Sequence, residues 1–421
     1  MNARKVVIIG GGIGGLTLAS ALHARNINVE VFERTAQLSE IGAGVQMTPN
    51  AMKVLSDLGA APAVIEAGFL PEATVARDWR TGKIVFRTQL KGDCERLYAA
   101  PYVHVLRADL QRCIRETLPE NLITLSSDCV DIRNEGKTAI ATFADGREVE
   151  ADLIVAADGI RSIARQRLFE NSAPQFTKNV CWRAVVPFDA PDYDLVGPYN
   201  SIWFGPNGHI VTYYVKGGKA VNMIACLECE EWAEESWNTR SSAEALAAAY
   251  PGWNQKLQTL FSRANDVYKW GLFDRDPMST WTNGRVALLG DAAHPMLPYL
   301  SQGAAMAMED GIVLARMLAD NPSDVDAALV GYEALRIPRA SRVQLASREQ
   351  GKKNHLTSPW ARLRRDLAYR IASLGKPQNA GLKSGWVYGY DAVTAESAQS
   401  AESTQSAQSA PAAPPMPSAI K

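Results

Sequence analysis

The first 33 residues constrain the fold more than any other part of the chain. Residues 5–9 (KVVII) form a short continuous apolar run, which is typical of a strand buried on both faces of a parallel sheet. The glycine-rich segment 10–15 (GGGIGG) follows directly, and apolar residues at helical spacing continue to residue 25. Residues 28–33 (NVEVFE) then alternate like a second strand. The chain is therefore predicted to begin with a strand, a turn, a helix and a second strand, which together make a βαβ unit.

Three of these glycines have the GxGxxG spacing of a dinucleotide-binding loop. Gly10 allows a tight turn, Gly12 lets the backbone approach a pyrophosphate, and Gly15 lets the helix pack closely on the strand. Glu33 ends the second strand, where a carboxylate can accept hydrogen bonds from ribose hydroxyls. The free N–H groups at the helix start favour phosphate binding. The pattern predicts a dinucleotide site but does not distinguish NAD from FAD.

The same stretch has a second reading as an export signal, because residues 6–22 carry no charge. The glycines that interrupt it favour the βαβ unit, and six thinly spread cysteines in 421 residues favour free thiols in a reducing cytoplasm. Cys226 and Cys229 have CxxC spacing without a second ligand pair, so we expect no metal site. The chain has 44 Lys and Arg against 45 Asp and Glu, and this balance of charge predicts no nucleic-acid partner. The sequence has no other long apolar run, which predicts no membrane partner.

Two further strand-to-turn patterns and one β-rich region complete the predicted organisation. Residues 152–157 lead into Asp158-Gly159, and residues 285–289 lead into Gly290-Asp291, ahead of a helix from about Gly303. Residues from about 180 to 272 contain β-rich runs separated by glycine and proline turns. We therefore predict an α/β fold in which a Rossmann-like dinucleotide-binding domain carries an inserted, mostly antiparallel β-sheet domain and C-terminal helices. The predicted ranges are 1–178 and 275–330 for the dinucleotide-binding domain, which the resemblance described next makes an FAD-binding domain, 179–274 for the insert as a substrate domain, 331–390 for the helices and 391–421 for a disordered tail.

Three separated motifs make this sequence resemble the group A flavoprotein aromatic hydroxylases, which include salicylate hydroxylase, 3-hydroxybenzoate 6-hydroxylase and 6-hydroxynicotinate 3-monooxygenase. They are the N-terminal glycine loop ending in Glu33-Arg34, the segment DGIRSIAR at 158–165, and the segment GDAAHP at 290–295. The resemblance implies FAD as the cofactor, NADH or NADPH as a transient reductant, and insertion of one oxygen atom from O₂ into an aromatic ring. In such enzymes the cofactor performs the chemistry, and the protein supplies orientation and a dry pocket.

The resemblance also implies the flavin contacts. Asp291, at the carboxyl end of a buried strand, can accept from ribityl hydroxyls, and the helix start at Gly303 and Ala304 can approach the flavin ring. The remaining positions that the resemblance assigns to FAD are Gly14, Arg34, Gln46, Arg107, Cys129 (through its backbone) and Asp158. In the hydroxynicotinate members a histidine is expected where this chain has Gln46, which weighs against that substrate.

Two side chains of the inserted sheet are the predicted catalytic residues. His209 and Tyr213 are four residues apart on a predicted strand, so they point to one face and can hydrogen-bond a phenol, which raises the nucleophilicity of the ring. The resemblance supports them, since related members have a histidine and a tyrosine at this spacing. The alternative is a histidine packed on aromatic neighbours. Trp203 is expected on the same face if the intervening turn keeps register.

The resemblance implies a small phenolic aromatic acid as substrate and partner. Our first expectation is salicylate, hydroxylated to catechol with loss of carboxylate, and the alternatives are 3-hydroxybenzoate 6-hydroxylation and 6-hydroxynicotinate 3-hydroxylation. A rival of another class is a flavin reductase or oxidase without oxygen insertion, and a non-catalytic rival is an FAD-binding sensor. We expect a cytoplasmic monomer or homodimer.

Overall fold

The computed structural model describes residues 4–38, 43–169, 173–232, 239–373 and 385–396. Within these ranges the chain forms nineteen β-strands and twelve α-helices. The strands are β1 (Lys5–Ile9), β2 (Asn28–Phe32), β3 (Gly44–Met47), β4 (Ala73–Asp78), β5 (Ile84–Gln89), β6 (Val103–Leu106), β7 (Ile123–Thr124), β8 (Cys129–Glu135), β9 (Thr138–Phe143), β10 (Glu148–Ala151), β11 (Leu153–Ala156), β12 (Gln175–Pro187), β13 (Tyr199–Gly205), β14 (Gly208–Val215), β15 (Ala220–Glu228), β16 (Thr239–Ser241), β17 (Val267–Asp274), β18 (Thr282–Asn283) and β19 (Val286–Leu288). The helices are α1 (Ile13–Ala24), α2 (Pro49–Asp57), α3 (Ala61–Ala67), α4 (Asp93–Tyr98), α5 (Arg107–Arg115), α6 (Ile163–Leu168), α7 (Ala243–Ala249), α8 (Gln255–Ser262), α9 (Gly303–Asp320), α10 (Val325–Asn354), α11 (Pro359–Ser373) and α12 (Gly385–Tyr388).

A six-stranded sheet with the order β18-β19-β11-β1-β2-β7 forms the centre of the first layer. Four of its five strand pairings are parallel, and only the β18–β19 pairing at one edge is antiparallel. Strand β1 lies between β2 and β11, and its last four residues are buried, as the apolar run predicts. The predicted α/β fold is therefore confirmed, with α1 and α9 packed together in the same apolar core.

The second layer is an eight-stranded sheet with the order β16-β17-β12-β15-β14-β13-β4-β5. All its pairings are antiparallel except β13–β4. Strands β4 and β5 come from residues 73–89, so this sheet includes chain from outside the range 179–274 that the sequence suggested for the insert. A two-stranded ribbon, β3–β6, joins the layers: Gly44 N donates to Asn222 Oδ1 at 2.7 Å, and the His104 ring lies 4.3 Å from the Tyr213 ring.

Two boundaries differ from the sequence prediction. Helix α1 begins at Ile13, three residues before the apolar spacing indicated, so Gly14 and Gly15 are helical residues. The tail predicted from residue 391 begins too early, because Ala392 is fully buried and its carbonyl accepts from Arg316 Nη1 at 2.8 Å. A small residue in a polar sequence gave no sign of this packing. Residues 397–421 of that predicted tail lie outside the described residues.

No helix within the described residues is long and apolar enough to cross a membrane. In the same ranges, no group of three or more His, Cys, Asp or Glu side chains has an arrangement suited to a metal ion.

Candidate active site

The glycine loop after β1 has a backbone path that side chains would block. Gly10 has φ +109°, and a Cβ built on it would lie 2.4 Å from the carbonyl oxygen of Ala157. A Cβ on Gly15 would lie 2.0 Å from the carbonyl oxygen of Gly10. Both contacts are shorter than any real Cβ contact, so glycine is required at these two positions for the turn to lie under the helix.

Gly12 differs from its neighbours because a Cβ there would meet nothing within 4 Å. It precedes α1 without a side-chain cap, and the first turn of the helix has no acidic residue, so no capping side chain takes up the N–H groups of this turn. This is the environment that a phosphate requires at a helix start. Gly14 has another role, since its Cβ would lie 2.6 Å from Leu289 Cδ2 and 3.0 Å from Ala307 Cβ, which shows that it lets α1 pack against β19 and α9.

Glu33 lies beside this loop. Its Oε2 accepts from Gly11 N at 2.6 Å, and its Oε1 accepts from the Thr35 N–H and hydroxyl at 2.9 Å. These bonds hold the carboxylate at the end of β2, and Oε2, which accepts only one of them, keeps a lone pair that can accept from a ribose hydroxyl.

Asp158 lies on the other side of the loop, after β11. Its Oδ2 accepts from Ile163 N at 2.8 Å, while its Oδ1 is buried and has no partner among the described residues. Burial raises the pKa of this carboxyl, and hydrogen bonds and the exposed Arg34 guanidinium oppose that rise. Cys129 begins β8, close enough for the Asp158 charge to contribute to the raised pKa of its buried thiol. An unpaired buried acceptor is costly, so Oδ1 points to a missing donor.

Asp291 is the acidic residue at the far end of the parallel sheet. It follows β19 in a 3-10 turn over Gly290–Ala292, and it lines a cavity of about 270 Å³. One side of Asp291 is open to solvent. Burial of its other sides raises the pKa of the carboxyl, and the charges of His294 and Arg107 act in the opposite direction and lower it. Arg107 begins α5, and its N–H donates to Ala43 O at 2.7 Å.

The start of α9 forms the adjoining wall. Gly303 and Ala304 are half-buried first residues of this 18-residue helix, which has neither a side-chain cap nor an acidic residue in its first turn. Its N-terminal end can therefore stabilise negative charge on a flat ring. Together with the open Gly12 backbone, the orphaned Asp158 Oδ1 and the open Asp291 carboxylate, this end fits a bound FAD running from the glycine loop to α9.

A buried ionic network beneath Gly290 was missed by sequence reasoning. Asp310 accepts from Gly290 N at 3.0 Å, from His294 Nε2 at 2.5 Å and from Arg336 Nε at 2.8 Å. Glu309 accepts from Arg336 Nη1 at 2.7 Å and Arg339 Nη2 at 3.0 Å. The visible sign was the Glu309-Asp310 pair in the middle of the apolar first part of helix α9. The network fixes the turn that carries Asp291.

A second cavity lies between β13–β14, the loop before α9, and the ends of α10 and α12. Polar side chains from seven segments converge on it, including two that the sequence had singled out, Gln46 and His209. The residues that line it are Gln46, Tyr102, Asn200, Ile202, His209, Val211, Pro298, Tyr299, Leu300, Ser301, Gln302, Asn354, Val387 and Tyr388. None of them is an acid, an arginine or a lysine.

His209 is 3% exposed, and its Nδ1 lies 2.8 Å from His355 Nε2. Burial lowers its pKa well below the ordinary value, and the charges of His355 and Arg365 add to that effect, so the ring is neutral. Tyr299 packs against it with ring centroids 5.5 Å apart. A neutral imidazole on a cavity wall can donate or accept one hydrogen bond there, depending on its tautomer.

Tyr213 lies on the same face of β14 as His209, but it does not line this cavity. It is 1% exposed and packs on His104, and burial raises its pKa. The expectation that both side chains reach one substrate group therefore stays a prediction. Four residues of strand span about 13 Å, and alternation fixes only the face of a side chain.

Trp203 lies on the opposite face. The β13–β14 hairpin has a two-residue turn and pairs Gly205 with Gly208, which places Trp203 opposite Ile210. Cross-strand partners share a face, so Trp203 packs with Ile210 and Tyr214 in the outer core. The expected register was therefore wrong.

Comparisons with known proteins agree with this geometry. A sequence family described as FAD binding domain matches residues 3–347. The 3-amino-4-hydroxybenzoate 2-monooxygenase PtnB3 of Streptomyces platensis is 38% identical over 397 residues, which are 93% of this chain and 98% of the relative. A 6-hydroxynicotinate 3-monooxygenase of Pseudomonas fluorescens is 33% identical over 349 residues, 82% of this chain and 90% of the relative. The solved structure of a salicylate hydroxylase substrate complex matches with a TM-score of 0.77 at 27% identity, covering 93% of this chain and 96% of that one.

The chain belongs to the FAD-binding domain family. Within it, the chain is an FAD-dependent aromatic monooxygenase of the phenolic hydroxylase type. The resemblance read from the three motifs, and the FAD that it implied, are confirmed. The individual FAD contacts and the catalytic residues stay predictions.

Proposed function

We propose that this enzyme hydroxylates a small phenolic aromatic carboxylate at a ring carbon ortho or para to a hydroxyl or amino group of the ring. The observation that supports this most is His209: Nδ1 is engaged by His355, and Nε2 has no partner among the described residues on a wall of the cavity. A phenol that hydrogen-bonds to Nε2 becomes more ionised, and a phenolate activates its ortho and para carbons.

The neutral polar wall opposite supplies the remaining contacts. Tyr102 donates to Gln46 Oε1 at 2.5 Å, and Gln46 Nε2 donates to Asn200 Oδ1 at 3.1 Å. These groups, with Ser301 and Asn354, can hold a carboxylate through uncharged donors, and no acid in the lining repels it. FAD supplies the oxygen-activating chemistry when it is bound, with NADH or NADPH as reductant. The chain then orients the ring and excludes water.

The relatives reorder the substrates to be tested. 3-Amino-4-hydroxybenzoate, named in a relative that matches 93% of this chain, is our first candidate, because it carries a phenol and a carboxylate on one small ring. The 2 position in that relative's name is ortho to the amino group and meta to the hydroxyl, so the amino group activates it. Salicylate, our sequence-based expectation, is second and also fits the salicylate hydroxylase likeness. 3-Hydroxybenzoate and 6-hydroxynicotinate follow. The monomeric or homodimeric state and the cytoplasmic location stay predictions.

The test is NADH and NADPH oxidation by the FAD-loaded enzyme with each of the four acids, with products identified by mass spectrometry under ¹⁸O₂. We expect one acid to accelerate NAD(P)H oxidation and to gain one ¹⁸O atom. Acceleration with hydrogen peroxide as the only oxygen product would support the reductase or oxidase instead. If no acid altered either the rate or the flavin spectrum, the FAD-binding sensor would replace our proposal.

A further inference from the structure

Two histidines from distant parts of the chain meet behind the candidate substrate cavity. His209 is the second residue of β14, and His355 directly follows the last residue of α10. Their Nδ1 and Nε2 atoms lie 2.8 Å apart, and the side chains are 3% and 6% exposed. A buried imidazole pair at this distance shares one hydrogen, which either ring can hold.

The outer nitrogen of each ring has no protein partner among the described residues. His209 lines the cavity and His355 is not among the lining residues, and the facing atoms of the two rings are Nδ1 of His209 and Nε2 of His355. We therefore assign the outer Nε2 of His209 to the cavity side and the outer Nδ1 of His355 to the other side of the pair. Nδ1 of His294 is an unpaired nitrogen that the protein encloses completely. The outer nitrogens of His209 and His355 are not enclosed in this way, so each retains some contact with solvent or with the cavity. The four nitrogens thus form a candidate path from the cavity towards the end of α10.

We propose that His355 is a positioning residue that completes a two-imidazole proton relay from the substrate phenol to solvent. The phenol O–H bond breaks, and its proton bonds to His209 Nε2. The hydrogen on His209 Nδ1 moves to His355 Nε2, and the hydrogen on His355 Nδ1 passes to water. The electron pair of the O–H bond stays on the phenolate oxygen. Both imidazoles are neutral before and after, and one proton has left the site.

The surroundings favour a relay over a single base. Burial lowers the pKa of His209 well below its ordinary value and that of His355 to about 4, so neither ring can store a proton as a cation at neutral pH. The ionisable groups around the pair are Tyr299 against both rings, Arg365 of α11 and Cys226 opposite His209 in β15. None is a carboxylate that would stabilise an imidazolium. A relay removes the proton without creating that charge.

The relay rests on the proposed function, and the variant His355→Gln tests the relay separately from that function. Glutamine can keep one hydrogen bond to His209 Nδ1 but cannot pass a proton through. The control is His23→Gln on the exposed end of α1. With the acid that the wild type hydroxylates, we expect His355→Gln to slow phenolate formation in stopped-flow absorbance about 100-fold, within the usual range for acid–base catalysis. His23→Gln should leave both this rate and flavin reduction by NADH without substrate unchanged.

Wild-type rates of phenolate formation in His355→Gln, with the same dependence on pH, would overturn the relay and leave the proposed function intact. A second readout needs no substrate: ¹⁵N NMR of histidine-labelled, FAD-loaded enzyme reports the tautomer of His209. We expect a neutral His209 from pH 6 to 8 whose nitrogen shifts change in His355→Gln and not in His23→Gln. An imidazolium at pH 7, or shifts indifferent to His355, would overturn the relay even if no acid in the panel were hydroxylated.

Discussion

The Tyr102 hydroxyl donates to Gln46 Oε1 at 2.5 Å, which fixes the orientation of an amide on the wall of the substrate cavity. With Oε1 occupied, Gln46 directs its Nε2 to Asn200 Oδ1 at 3.1 Å. The two residues belong to β3 and to the segment just before β6, the ribbon that connects the FAD-binding layer to the large sheet. The pair therefore couples the cofactor side of the molecule to the substrate side.

Removing that donor should weaken substrate binding. Tyr102→Phe leaves Gln46 Oε1 with only Asn200 Nδ2, at 3.4 Å. Loss of a hydrogen bond with a buried acceptor costs about 1–2 kcal/mol, so we expect the KM for the hydroxylated acid to rise about 5–30-fold. Steady-state kinetics measure this, with Tyr98→Phe, outside the cavity lining, as the control. A KM unchanged in Tyr102→Phe would show that Gln46 does not orient the substrate.

Glu33 should control FAD affinity without affecting the hydroxylation step. Glu33→Ala removes the acceptor beside Gly11 and Thr35 that we assign to the ribose. We expect FAD to bind about 1–3 kcal/mol more weakly, the cost of losing a hydrogen bond to a charged group. Titration of apoprotein followed by flavin fluorescence measures this, with Glu30→Ala on the same strand as the control. Equal affinity in the two variants would contradict the assignment.

The Asp310 network should stabilise the protein in a pH-dependent way. Burial acts to raise the pKa of Asp310, but His294 and Arg336 outweigh it, and the net pKa is lowered. Because the folded-state pKa is lowered, this contribution to stability is present above the unfolded value of about 3.9 and is lost as pH falls through the folded value.

Asp310→Asn should therefore unfold more readily, by about 3–5 kcal/mol at pH 7, because Arg336 is left buried beside one fewer charge. Urea unfolding at several pH values measures the difference from wild type, which should shrink below about pH 4. Asp320→Asn, at the end of the same helix, is the control. A stability difference between wild type and Asp310→Asn that grew as the pH fell would contradict a lowered pKa for Asp310 in the folded protein.

Gly351 should matter because it lies against the cavity residue Tyr299. A Cβ at this position in α10 would be 2.4 Å from Tyr299 Cε2. Gly351→Ala should displace that ring from His209 and His355 and destabilise the protein by about 1–3 kcal/mol through overpacking. Gly331→Ala in the same helix meets only the flexible Met317 side chain and is the control. Thermal unfolding and NAD(P)H coupling should change in Gly351→Ala and much less in Gly331→Ala.

The centre of the parallel sheet was predictable because β1, β11 and β19 are continuous apolar runs that lead into glycine or aspartate turns, and Lys5–Ile9 shows this most simply. The place of Asp291 at a strand end followed from the same rule. The register of the large sheet was not predictable, because one two-residue turn decided which face carries Trp203. His355 escaped notice because its relation to His209 spans 146 residues and depends on how α10 ends. Tyr213 shows that shared alternation does not guarantee shared access.

The most direct test of the account is the coupling ratio, the moles of ¹⁸O-labelled hydroxylated acid formed per mole of NADH oxidised, in wild type and His209→Asn. Asparagine keeps a small polar side chain in the strand but cannot serve as the base. We predict a high ratio in the wild type and, in the variant, continued NADH oxidation with most of the oxygen released as hydrogen peroxide while FAD stays bound. Equal ratios in the two proteins would contradict the central claim that His209 prepares the phenol for hydroxylation.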